Sequence, residues 1–91
     1  MKLLWTVSGR ADLVRLHDFL SPVNPPAAAR TVQSLVDAAG RLLVHPRIGE
    51  QLDRYQPCEV RRLLVGAYEI RYEVRREEIF ILRVWHTRES R

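Results

Sequence analysis

A chain of 91 residues with 46% hydrophobic and 29% charged side chains is sized for one core and patterned for folding, which excludes both a disordered chain and two separate cores. Fifteen Lys and Arg against eleven Asp and Glu leave a formal charge of +4, and fourteen of those fifteen are arginine, with Lys2 the exception. Arginine keeps its charge and offers a planar donor fork to phosphates and carboxylates, so the bias fits nucleic acid or an acidic peptide as partner; GC-rich codons would produce it too. Cys58 is the only cysteine. An internal disulfide and a cysteine metal site are thereby ruled out, and a reducing cytoplasm is expected. Met1–Val7 is too short for the apolar stretch of a signal peptide, and no run reaches membrane-spanning length.

In chain order, Lys2 to Val7 alternate with Leu3, Trp5 and Val7 on one side, predicting a first strand. Ser8 is the expected N-cap of a helix whose apolar face carries Leu13, Leu16, His17 and Leu20 and which stops at Ser21-Pro22. Asn24-Pro25-Pro26 opens a second helix, with a stripe of Ala29, Val32, Leu35, Val36, Ala39, Leu42 and Leu43. It should end near Val44, because Pro46 disfavours helical geometry at His45. Arg47 to Pro57 reads as a loop. Glu59 to Val65 is a strand, Gly66-Ala67 a two-residue type II′ turn, and Tyr68 to Arg75 a strand with Tyr68, Ile70, Tyr72 and Val74 buried and Glu69, Arg71, Glu73 and Arg75 wet. Arg76-Glu77-Glu78 turns the chain into Ile79–His86, which is apolar on both sides and belongs in the sheet interior.

The expected fold class is α+β, ordered β-α-α-β-β-β: a twisted, mainly antiparallel sheet with an N-terminal helical hairpin on one face, in a single domain over residues 1–91. Trp5 and Trp85 are read as core. His17 is read as a packed side chain and His45 as a helix C-terminal imidazole; neither has metal-ligand spacing, so no metal and no cofactor are expected. The arginines of the closing sheet are expected to point outward as a platform for a macromolecule.

Six strings in this order resemble the RelE/ParE superfamily of toxins from bacterial type II toxin–antitoxin operons. They are Ala11-Asp12-Leu13, Asn24-Pro25-Pro26-Ala27-Ala28, Leu42-Leu43-Val44-His45-Pro46-Arg47-Ile48-Gly49, Glu59-Val60-Arg61-Arg62-Leu63, Tyr68-Glu69-Ile70-Arg71-Tyr72 and Ile81-Leu82-Arg83-Val84-Trp85-His86-Thr87-Arg88. The resemblance spans nearly the whole chain and is closest to the ParE-like, plasmid-stabilisation branch. It implies a growth-inhibiting toxin neutralised by an acidic antitoxin that folds on binding, in a toxin–antitoxin hetero-oligomer without membrane contact. ParE-like members inhibit DNA gyrase; RelE-like members cleave mRNA in the ribosome.

For RNA cleavage, a base, an acid and cations for the phosphorane are needed, and the resemblance puts forward Arg61, Arg62, Arg83 and His86. The lysine pair of many RelE proteins is missing, and Thr87 stands where they carry a tyrosine. ParE-like members often keep the histidine without RNase activity. Gyrase inhibition is therefore the preferred reading, with mRNA cleavage as the alternative and an inactive antitoxin-binding module as the second alternative. Expected target or antitoxin contacts are Arg61, Arg71, Arg83, His86, Arg88 and Arg91.

Overall fold

A computed structural model describes residues 1–89. The elements are β1 (Lys2–Trp5), α1 (Val7–Leu20), α2 (Pro25–Arg41), β2 (Glu50–Gln51), a 3-10 turn (Asp53–Tyr55), β3 (Glu59–Val65), β4 (Tyr68–Val74) and β5 (Glu78–His86). The five strands form one sheet in the order β1-β5-β4-β3-β2. β5 lies inside the sheet between β1 and β4, as its two-sided apolar pattern requires. It pairs parallel with β1 and antiparallel with β4, so the sheet is mixed. The fold class is α+β, with the helices over one face of that sheet: Leu16 of α1 and Leu35, Ala38 and Ala39 of α2 share a core with Ile70, Tyr72, Ile79, Ile81 and Val84. Among the described residues, no helix is long and apolar enough to cross a membrane.

Several expectations are corrected. Val7 opens α1 instead of closing the strand, and the N-cap is Thr6, not Ser8: the Thr6 hydroxyl oxygen accepts from the Gly9 N–H at 3.0 Å. That hydroxyl also lies 2.8 Å from the Ile81 carbonyl, so one residue both starts α1 and ties it to β5. Thr6→Ala should cost about 1–2 kcal/mol, the upper range for a lost cap, read as a lower midpoint in urea unfolding.

α2 ends at Arg41, and Leu42, Leu43 and Val44 continue as a tighter turn with bonds back to Ala39, Gly40 and Arg41. Its buried stripe is rotated from the expected one. Ala28, Leu35, Ala38, Ala39 and Leu42 face inward, while Ala29, Val36 and Leu43 are exposed. Small alanines face the sheet because they let the helix come close. His17 is half exposed rather than packed.

The segment read as a loop contains β2 and the 3-10 turn, because Glu50 and Gln51 find backbone partners opposite Arg62 and Arg61. Gly66 takes φ +58° and is the only one of the described residues with positive φ, consistent with glycine as the first residue of a II′ turn. One residue, Leu82, is extra in β5 where the register with β4 shifts between Arg71 and Tyr72.

Candidate functional site

β1 accompanies β5 only as far as Ile81. Beyond it, the edge of β5 loses its backbone partner, and side chains take over. Asp12 on α1 accepts from the Val84 N–H at 2.8 Å, Arg15 donates to the Val84 carbonyl at 3.2 Å, and Glu89 accepts from the His86 N–H at 3.0 Å. Asp12, only 4% exposed, also takes the fork of Arg83 through Nε at 2.8 Å and Nη2 at 3.1 Å. Burial pushes the Asp12 carboxyl up, but the bonds from Arg83 and Val84 and the Arg83 charge outweigh it and hold it below its ordinary value. This length of edge is closed to a further strand.

Residues directly opposite one another across a ladder share a sheet face. His86 pairs with Tyr68, and Arg61 pairs with Tyr72, so both belong to the helix-facing side. Those partners, Tyr68 and Tyr72, stand four positions apart on β4, about 13 Å along the strand. The His86 ring packs edge-on to Tyr68 with centroids 5.1 Å apart, and its Nδ1 accepts from the Arg88 N–H at 3.1 Å. Beside it lies a cleft of about 710 Å³ lined mainly by apolar groups, including Leu16, Phe19, Leu20 and Tyr68, with Arg88 at its rim. Phe19 is 77% exposed. Arg61, at the other end, is held by Glu59 at 2.8 Å and by the Gly49 carbonyl at 2.8 Å.

The opposite side carries a row of arginines, since Arg62 pairs with Arg71 and Arg71 with Arg83. This is not the open platform expected. Arg62 meets Glu50 at 2.6 Å, Arg71 meets Glu69 at 2.6 Å, and Arg83 meets Asp12. Glu69, expected on a wet face, is 0% exposed. It is covered because Arg71 and Trp85 close over that side: the Arg71 guanidinium lies 4.8 Å from the Trp85 ring centroid and donates to the Tyr55 hydroxyl at 3.0 Å. Trp85 is buried, as a core tryptophan should be. A buried carboxylate needs a cation and hydrogen bonds, and the chain supplies its own.

The sheet thus divides the residues put forward for cleavage: Arg61 and His86 on one face, Arg62 and Arg83 on the other. Arg88 is exposed and makes no ion pair among the described residues. Arg91 lies outside the described residues. The residues that sequence reasoning passed over are Asp12, Arg15, Phe19, Tyr55 and Glu69. Asp12 did carry a signal, an acid one turn before Leu16 on the apolar stripe of α1. Among the described residues, no three His, Cys, Asp or Glu side chains are placed to hold a metal ion.

Two helices against one face of a five-stranded mixed sheet, with surface clefts at its margins, define a small α+β protein. The chain belongs to the ParE toxins of type II toxin–antitoxin systems: the family model described as "ParE toxin of type II toxin-antitoxin system, parDE" matches residues 3–91. Among solved structures it is similar to a chain of the "Chromosomal ParDE TA system from P. aeruginosa", with 28% identity, a TM-score of 0.80, and coverage of 94% of this chain and 95% of that one. No curated protein matches the sequence.

Proposed function

We propose that this chain, acting as a single domain, is a growth-inhibiting toxin that binds DNA gyrase and blocks it, and that a cognate antitoxin neutralises it in the cytoplasm. The observation that carries the gyrase reading over mRNA cleavage is the division of Arg61, Arg62, Arg83 and His86 between two faces. A cleavage site needs its acid, base and cations around one phosphate, and Arg61 and Arg83 are already engaged with Glu59 and Asp12. Gyrase inhibition needs only a docking surface. The cleft beside Phe19 supplies apolar anchors next to Arg88, the composition in which interface energy concentrates. The antitoxin reading rests on family membership and on the similar solved structure, whose title names a ParDE system; an acidic amphipathic segment folding on contact matches the net charge of +4.

The test is a supercoiling assay with purified toxin beside a ribosome-dependent mRNA cleavage assay. The wild type should block supercoiling and leave mRNA intact. Phe19→Glu should weaken inhibition at least about tenfold, as loss of a hot-spot anchor does, with an unchanged melting temperature because Phe19 packs little. Ribosome-dependent cleavage that His86→Ala abolishes would overturn the gyrase reading. Normal growth on induction of the isolated gene would overturn both toxin activities and leave an antitoxin-binding module.

A further inference from the structure

On the sheet face turned away from the helices, the 3-10 turn Asp53–Tyr55 borders a cleft of about 510 Å³ lined by Glu50, Leu52, Arg54, Arg62 and Arg71. Three guanidiniums meet there, and two carboxylates answer them. Glu69 lies buried beneath and is matched mainly to Arg71, at 2.6 Å, with Arg62 at 3.9 Å. Arg54 makes no ion pair among the described residues and lies 5.1 Å from the Tyr55 ring centroid. Arg62 holds only Glu50 closely, through Nε at 2.6 Å.

Glu50 is the weak member of this set. Its side chain is 63% exposed, and an ion pair open to water exchanges readily with other anions. Its carboxylate oxygen on Arg62 marks where an outside oxyanion would be received. We propose that this cleft is a phosphate-binding site, in which a phosphoryl group displaces the Glu50 carboxylate and is held by Arg62 and Arg54, with Arg71 behind them. A phosphate presents more acceptor oxygens than a carboxylate and matches two guanidinium forks at once.

Tyr55 shares this field, its hydroxyl accepting from Arg71 at 3.0 Å. Burial raises its phenol, but hydrogen bonds from Arg54 and Arg71 and their charges outweigh this and bring it below its ordinary value. A neighbourhood that favours a phenolate favours an anion beside it. The site breaks no bond, and it goes beyond the gyrase reading: it is the toxin's own affinity for phosphoryl oxygens, whether from a nucleic-acid backbone or from free phosphate.

The experiment is an NMR titration of the full chain at low salt, following arginine Nε–H signals, with inorganic phosphate and separately with a short single-stranded DNA. Saturable shifts at Arg62 and Arg71, with Arg10 and Arg30 on the helices unmoved, are expected. Arg54→Ala should weaken binding about tenfold, the loss of one charge-assisted contact. Glu50→Gln should tighten it by more than Asp37→Asn, which makes the same charge change on α2. Saturation by both probes assigns the site to backbone phosphates, and saturation by inorganic phosphate alone assigns it to free phosphate. Shifts spread evenly over all arginines, no saturation with either probe, or equal effects of Glu50→Gln and Asp37→Asn would overturn the proposal. Gyrase is absent from the assay, so a failure here leaves the gyrase reading standing.

Discussion

Asp12→Ala should lower the unfolding free energy by about 2–3 kcal/mol at neutral pH, measured by urea denaturation. The change leaves the Val84 N–H at the edge of β5 without its acceptor and strips Arg83 and Arg15 of their shared anion. An unsatisfied buried donor costs about 1–3 kcal/mol. Arg83 is half exposed and regains water, so the full penalty of an uncompensated buried charge does not apply. Asp12→Asn keeps an oxygen for Val84 and loses only the charge, so its effect should be about half as large.

The same carboxylate gives a pH signature. Its folded-state value lies below the ordinary 3.8, so the stabilisation is complete above the unfolded value and disappears as pH falls through the folded one. The gap in stability between wild type and Asp12→Asn should be constant from neutral pH down to that window and close within it. A gap that persists undiminished once the carboxyl is protonated would show that the charge is not what stabilises the edge.

Gly49→Ala should be at least as damaging, at about 2–4 kcal/mol. A Cβ at Gly49 would stand 2.6 Å from the Arg62 carbonyl oxygen and 2.7 Å from the Tyr72 hydroxyl. Neither neighbour can yield cheaply. The first is backbone of β3, and Tyr72 is fully buried, its hydroxyl donating to the Pro46 carbonyl at 2.9 Å and accepting from the Gly49 N–H at 3.0 Å. Steric overlap in a close-packed interior costs about 1–3 kcal/mol, and a disturbed buried hydrogen bond adds to it. Gly40→Ala is the comparison: nothing lies within 4 Å of its Cβ, it is in α2, and the substitution should stabilise by about 0.5–1 kcal/mol. Equal effects at the two glycines, read from urea midpoints, would refute the steric account.

Element order and type were carried by local signals. The Asn24 cap, the Pro25-Pro26 start, the Gly66 turn and the alternation through Tyr68, Ile70, Tyr72 and Val74 all act over a few residues, so they can be read without knowing the fold. The interior placement of β5 follows equally from its two apolar sides. β2 escaped notice because two residues have no period, and they become a strand only when β3 lies alongside. The state of the charges was settled by tertiary contacts alone. Glu69 and Arg71 alternate like solvated residues, yet Trp85, brought across from β5, turns their face into an interior. Asp12 is 71 residues from Arg83 in sequence and 2.8 Å away in space. A carboxylate's burial depends on which guanidinium and which backbone N–H reach it, and those arrive from other elements. Spacing along the chain therefore names the charged residues, while folding decides which neutralise one another and which, like Arg54 and Arg88, have no ion-pair partner among the described residues.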